Sequence, residues 1–155
     1  MKVKQPLRLL SYKRWMDLGI LLAAHVLLAP VWLLLWITIP ALIKLEGGGP
    51  VFYGQVRMGK GGRTFRLLKF RTMVVDADRI GPRWNVEGDR RVTRVGRVLR
   101  KTALDELPGL LAIWKGEMSF VGPRALDAIE HRFLETQIPG FDRRLAIVPG
   151  LTGLA

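Results

Sequence analysis

The sequence predicts a small α+β domain with an N-terminal membrane segment, and three observations predict it. Residues 18–43 form an uncharged, strongly apolar run. Two β-leaning runs, residues 51–56 (VFYGQV) and 64–68 (TFRLL), flank a glycine-rich turn at Gly59-Lys60-Gly61-Gly62. From Arg91 onward, apolar positions recur at helical spacing. A chain of 155 residues suits one domain and excludes a large multidomain enzyme. A hydrophobic fraction of 49% excludes a disordered polymer, despite a formal charge of +12 and a pI near 11.1. The absence of cysteine excludes disulfides, thiol catalysis and Cys-type metal centres, and His25 and His131 are too few for a His-ligated metal site. Apolar and basic together, the chain suits anionic membranes, phosphorylated substrates or nucleic acid.

The membrane segment reads LGILLAAHVLLAPVWLLLWITIPALI. As one helix it would extend about 39 Å at roughly 1.5 Å per residue, against a hydrocarbon core of about 30 Å. It is too long for a cleavable leader, and no small-x-small site separates it from Gly47-Gly48-Gly49. Pro30 interrupts it by removing a helical hydrogen bond and crowding the preceding turn. The arms, residues 18–29 and 31–43, are about 18 and 20 Å long, so neither crosses alone. Lys2, Lys4, Arg8, Lys13 and Arg14 precede the segment, and Arg57, Lys60, Arg63, Arg66, Lys69 and Arg71 follow it. Basic flanks stay on the cytoplasmic side, so both ends ask for one face. Spanning helices nonetheless tolerate proline. On the residues alone, a span and a re-entrant helix-break-helix are both open.

Gly47-Gly48-Gly49-Pro50 marks the exit into the polar part. The next two runs read as a hairpin, and the turn between them lacks a Walker pattern. Residues 76–90, with Gly81-Pro82 and Gly88, read as a surface loop. Val92, Val95, Val98 and Leu99 set against Arg90, Arg91, Arg94, Arg97, Arg100 and Lys101 make a basic amphipathic helix, either solvated or laid on anionic headgroups. A second helix covers residues 107–114, from Leu107-Pro108 to just before Gly116. A third covers residues 125–137, with Leu126, Ile129, Phe133 and Leu134 on one side.

Chemistry then falls to carboxylates and cations. Asp105-Glu106 stand in KTALDELPGLLAIWKGEMSFVGPR, just before a proline-initiated helix. Acids in such a place commonly cap the helix. The company of Lys69, Arg71, Arg100 and Arg124 opens an alternative. An acid pair among cations can hold Mg²⁺ and attack phosphorus while the cations neutralise its oxygens.

Three blocks, GGPVFYGQVRMGKGGRTFRLLKFRTM (47–73), RVTRVGRVLRKTALDELPGLLAIWKGEMSFVGPR (91–124) and VPGLTGLA (148–155), resemble the bacterial sugar transferase family, the monotopic phosphoglycosyl transferases. The middle block is the most specific. The resemblance implies transfer of a sugar 1-phosphate from a UDP-sugar to polyprenol (undecaprenyl) phosphate, with release of UMP through a covalent aspartyl intermediate. Such a reaction initiates glycan, exopolysaccharide or O-antigen assembly. It implies Asp105 as the catalytic aspartate, Glu106 as its acidic partner and Mg²⁺ ligand, and Lys69, Arg100 and Arg124 as the substrate phosphate-binding cations. It also implies the re-entrant anchor, broken at Ala29 and Pro30. The organisation expected is a basic flank (1–17), a re-entrant membrane helix (18–43) and a cytoplasmic catalytic domain (44–155). The full expectation is thus an α+β fold with a re-entrant segment, a short hairpin and several amphipathic interfacial helices. It would sit at the bacterial inner membrane, with membrane lipid and no nucleic acid among its partners.

The chain departs from the family pattern in three places. Ala29-Pro30 stands where Ser-Pro is usual, and Pro123-Arg124-Ala125 stands for Pro-Arg-Pro. The sequence stops at Gly153-Leu154-Ala155, so a domain truncated at its C-terminus is expected. Two other classes compete with the enzyme. A membrane-tethered basic module for nucleic acid explains the charge but not an acid pair among the cations. An inactive scaffold would bind membrane without turnover.

Overall fold

A computed structural model describes residues 7–80 and 89–153. Lys2, Lys4, Gly81-Pro82, Gly88 and the Leu154-Ala155 end lie outside the described residues. Helix α1 (Leu7–Leu27) starts well inside the stretch expected to be a basic flank. It ends as Leu28 N–H donates to Ala24 O at 3.0 Å, and α2 (Ala29–Glu46) follows at once. The interruption therefore falls at Leu28, with Ala29 and Pro30 in the first turn of α2. A proline there loses no helical bond, because the first N–H groups of a helix are unpaired anyway. Its ring does oppose one continuous helix through Leu28. Pro40 lies inside α2 without ending it.

The order then runs β1 (Phe52–Met58), β2 (Thr64–Phe70), α3 (Ala77–Ile80), α4 (Arg94–Lys101), α5 (Leu110–Lys115), β3 (Ser119–Val121), α6 (Ala128–Gln137) and β4 (Gly150–Thr152). Three-ten turns cover Lys60–Gly62, Leu104–Gly109 and Phe141–Ala146. Strands β1 and β2 pair as a two-stranded sheet. Gly61 and Gly62, at φ 67° and 77°, turn the chain between them, a conformation that costs glycine little. The chain divides into two compact units. One holds residues 7–28, 54–67 and 109–153, and the other residues 29–53 and 68–108.

In the first unit, Leu21 of α1 joins Phe65, Leu67, Ala112, Ile113, Met118 and Ala125 in a core. Charged residues ahead of Leu21 serve the same docking. Arg14 donates to the carbonyls of Ile113 and Trp114 near the end of α5. Lys13 donates to Val121 O, and Asp17, 3% exposed, accepts from Phe120 N–H at 3.2 Å. Within the stretch expected as a basic flank, these three residues bond to protein. Strands β3 and β4 pair in parallel, Ser119 opposite Gly150 and Val121 opposite Thr152. A Cβ on Gly122 would lie 2.5 Å from Val148 O, so only glycine lets the two segments approach this closely. Helix α6, capped by Asp127 on Ile129 N–H, presents a different side from the one its pattern suggests. His131 is buried, while Ile129 and Phe133 are exposed.

The core of the second unit gathers Ile39, Ile43, Phe70 and Leu99. Phe52 stacks on Phe70 at 5.5 Å, and Trp36 lies 5.4 Å from the same ring. Buried Arg71 donates to the carbonyls of Gly47 and Gly48, at 2.8 and 2.7 Å, binding the exit of α2 to the end of β2. Glu46 closes the other side, taking N–H bonds from Arg94 and Val95 at the start of α4. Thr93 caps Gly96 N–H at 2.9 Å and gives its own N–H to Thr72 O, so all four orphan donors at the start of α4 are satisfied. Arg91 binds the carboxylate of Asp89 and the carbonyl of Ala77. Those Arg91 bonds hold the Asp89 carboxyl down at about 2.

Gly96 sets how closely α4 meets the chain after β2. A Cβ there would lie 2.1 Å from Thr72 O, a clash with backbone that no rotamer relieves. Gly96→Ala should destabilise the protein by about 1–3 kcal/mol despite the better helix propensity of alanine. Chemical denaturation checks this, and a stabilised variant would show that α4 is free to shift.

Candidate active site

Lys69 is the penultimate residue of β2, and Thr72 follows two residues after the strand ends. Thr93 N–H donates to Thr72 O at 3.0 Å, which seats α4 against this segment. Arg100, in the last turn of α4, then reaches back to donate from Nε to Thr72 Oγ1 at 2.9 Å. Thr102 caps the end of α4, and Ala103 adopts φ 56°, the left-handed conformation usually left to glycine after a helix. That reversal starts the turn Leu104–Gly109, which carries Asp105 and Glu106. Lys69 Nζ and Glu106 Oε1 pair at 2.5 Å, closing the turn onto β2.

Helix capping does not account for the acid pair. The N-cap of α5 is Gly109, which makes no side-chain cap bond, and both acids sit in the turn before it. Burial pushes the Asp105 carboxyl above its ordinary range; Lys69 opposes that shift, Glu106 adds to it, and Arg100 opposes it weakly. Burial thus favours the neutral form on balance, while the two cations partly restore the poorly hydrated anion. That combination suits a nucleophile for an electron-poor centre.

Of the five residues singled out from sequence, the structure gathers Lys69, Arg100, Asp105 and Glu106 within the second unit. Arg124 belongs to the first, exposed, with its backbone bridged to Gly150 and its carbonyl accepting from Arg144 at 2.7 Å. Glu46, Thr72, Gly96 and Ala103 support the site and escape the sequence reading. Thr72 alone had a visible signal, standing in the Lys-Phe-Arg-Thr-Met block. The others act through backbone contacts that no local pattern encodes.

Residues 8–155 match the family described as bacterial sugar transferase. A protein of Bacillus subtilis (strain 168) is 41% identical over 89% of this chain and 75% of its own length. The UDP-N-acetylgalactosamine-undecaprenyl-phosphate N-acetylgalactosaminephosphotransferase of Aeromonas hydrophila is 42% identical over 92% of this chain. The UDP-glucose:undecaprenyl-phosphate glucose-1-phosphate transferase of Caulobacter vibrioides shows the same identity and the same share. This chain spans 33% of the Aeromonas protein and 52% of the Caulobacter protein.

The left-handed Ala103 gives a direct test of the turn. Ala103→Gly removes the Cβ strain and should stabilise the folded state by about 1 kcal/mol. A rise in denaturation midpoint at unchanged slope checks it. A fall would mean that the alanine methyl packs usefully or that the turn is held otherwise.

Proposed function

The chain belongs to the bacterial sugar transferase family, and from that premise we propose that it moves a sugar 1-phosphate from a UDP-sugar to undecaprenyl phosphate. The observation that carries this reading is the half-buried Asp105 beside the Lys69–Glu106 pair, with Arg100 near enough to act on its charge. The names of the Aeromonas and Caulobacter relatives supply the substrate classes.

In the proposed first step, a carboxylate oxygen of Asp105 attacks the β-phosphorus of the donor. The bond from that phosphorus to the bridging oxygen breaks, and UMP leaves with the oxygen. The sugar phosphate stays on Asp105 as an acyl phosphate. An oxygen of undecaprenyl phosphate then attacks the same phosphorus, the bond to Asp105 breaks, and the carboxylate is regenerated. Lys69 and Arg100 are assigned to phosphate oxygens, where a fixed cation stabilises the charge that develops in transfer, and Arg124 carries the same assignment from the family resemblance alone.

Mg²⁺ fits the residues present. Magnesium prefers hard oxygen donors and is commonly held by one or two carboxylates plus substrate phosphates. Asp105 and Glu106 offer such a pair, and among the described residues no larger cluster of acids, histidines or cysteines competes for it. Glu106 is the assigned ligand. Bound there, the cation would neutralise charge on the donor diphosphate.

The same reading places a re-entrant anchor at the cytoplasmic face of the inner membrane. Helix α2, 18 residues and about 27 Å at roughly 1.5 Å per residue, is apolar enough to cross by composition. Val26, Leu27, Val31, Leu33, Leu34 and Ile37 are exposed, as lipid contact requires. At each end of the apolar run a lysine binds a carbonyl in the polar part of the chain, Lys13 to Val121 and Lys44 to Gly49. Lys13 and Arg14 ahead of the run and Lys44 at its end are basic, and basic flanks stay on the cytoplasmic side, which favours return over crossing. Because the chain lacks cysteine, single cysteines at Tyr12 and Gly48 report this directly. An impermeant thiol reagent should reach both from the cytoplasmic side and neither from outside; labelling from opposite sides would make the segment a span.

UMP release with Mg²⁺, undecaprenyl phosphate and a panel of UDP-sugars tests the function. Asp105→Asn should lower turnover by at least about a thousandfold, having no anionic oxygen to attack with. Glu106→Gln should cost about tenfold to a hundredfold and raise the Mg²⁺ requirement. Arg100→Lys should stay impaired by about tenfold, since an ammonium does not reproduce the guanidinium fork. If Asp105→Asn turned over like the parent, the site would be wrongly assigned.

A further inference from the structure

Lys69 and the two acids it faces form a charge cluster within the second unit. Lys69 Nζ lies 2.5 Å from Glu106 Oε1, with the lysine side chain 19% exposed and the glutamate side chain 36%. Burial raises the Asp105 carboxyl, and Lys69 is the chief force opposing it, ahead of Arg100. Two cations against two acids leave the cluster without net charge. Among the described residues no third acid, histidine or cysteine joins the acid pair.

A divalent cation arriving alone gains little from such a cluster. Magnesium binds carboxylate oxygen at about 2.0–2.1 Å and gives up its water reluctantly. A lysine bonded to the same carboxylate sets an ammonium close beside the metal, and like charges repel more strongly where water is partly excluded. A phosphate removes that obstacle, because its oxygens take the ammonium and complete the metal's ligands at once.

We propose that Lys69 keeps Glu106 from a lone divalent cation and releases it as a diphosphate draws the ammonium away, so that metal and donor enter as a pair. The donor half of this statement rests on the transfer reading; the competition between lysine and metal does not. Linkage then runs both ways, the phosphate tightening the metal and the metal the phosphate. The other role open to a lysine on a metal ligand is support, holding the carboxylate in position. The two roles differ in sign: removing a competitor tightens the metal, and removing a support loosens it.

The full chain in detergent is titrated with Mn²⁺, a stand-in for Mg²⁺ whose free form is read by electron paramagnetic resonance. With no nucleotide present, Lys69→Met should bind Mn²⁺ about tenfold more tightly than the parent, and excess Mg²⁺ should displace it. Lys101→Met, at an exposed lysine of the same unit, should change the affinity by less than about twofold. Adding Glu106→Gln to Lys69→Met should erase the gain. At matched free Mn²⁺, UMP should tighten the metal by about fivefold or more in the parent and by a smaller factor in Lys69→Met. Should Lys69→Met melt early, Lys69→Gln removes the charge while keeping an N–H donor for Glu106, and it should tighten the metal by an intermediate factor. Mn²⁺ binding no tighter in Lys69→Met than in the parent, an equal gain in Lys101→Met, or a UMP effect no larger in the parent than in Lys69→Met would overturn the proposal. If no UDP-sugar yields UMP with the parent while Lys69→Met still tightens Mn²⁺, the transfer reading falls and the competition stands. If the parent turns over and Lys69→Met tightens nothing, this proposal falls alone.

Discussion

Where α4 crosses the chain beyond β2, almost nothing separates the two backbones. Thr72 O takes the N–H of Thr93 at 3.0 Å, and Gly96 faces the same carbonyl with no side chain between. Arg100 then fastens the far end of the helix to Thr72 Oγ1. Given that seat, the left-handed Ala103 turns the chain back, and Glu106 meets Lys69 across 37 residues of sequence. Two closures on one strand end, one by Arg100 and one by Glu106, fix the segment that carries Asp105. Loop-closure entropy grows slowly with length, so a second closure over the same loop is cheap once the first exists. The acid pair can then hold its place without an extended sheet beneath it.

The apolar helix shares in this arrangement. Glu46, at the end of α2, accepts from the first N–H groups of α4, where a carboxylate also meets the positive end of the helix dipole. Arg71, one residue before Thr72, takes the carbonyls that follow α2. The apolar helix α2 and the turn that carries the proposed nucleophile are therefore bonded to the same few residues. In the proposed reaction, which joins a soluble donor to a lipid-borne acceptor, that coupling would set the height of the carboxylate relative to the headgroups. Holding both phosphates near one fixed oxygen is worth more than any single added contact.

Much of this was legible in the sequence where the signal was local. The apolar run, the glycine-rich turn between β1 and β2, and the acid pair among cations all follow from composition, period and spacing. The break in the helix was legible to within two residues, because proline constrains the turn before it and leaves the exact stop to the chain. The parallel pairing of β3 with β4 was not, since three-residue strands show no period and their partners lie far apart in sequence. The charge of the basic flank did not disclose its partners: Lys13 and Arg14 bond carbonyls, and Asp17 an N–H, of the first unit. Helix α6 misled through its period, because burying His131 turns Ile129 and Phe133 outward. In each case a long-range contact outweighed the local preference.

The central claim is that Asp105 itself takes the sugar phosphate. Its most direct test mixes the full chain with Mg²⁺ and a donor that supports turnover, omits the acceptor, and reads UMP beside the intact mass of the protein. The account predicts one equivalent of UMP per active site, an added sugar phosphate on the peptide containing Asp105, and loss of both signals when undecaprenyl phosphate discharges the adduct. UMP that appears only once acceptor is present, with no adduct trapped at any time, would contradict it and favour direct transfer with Asp105 in another role.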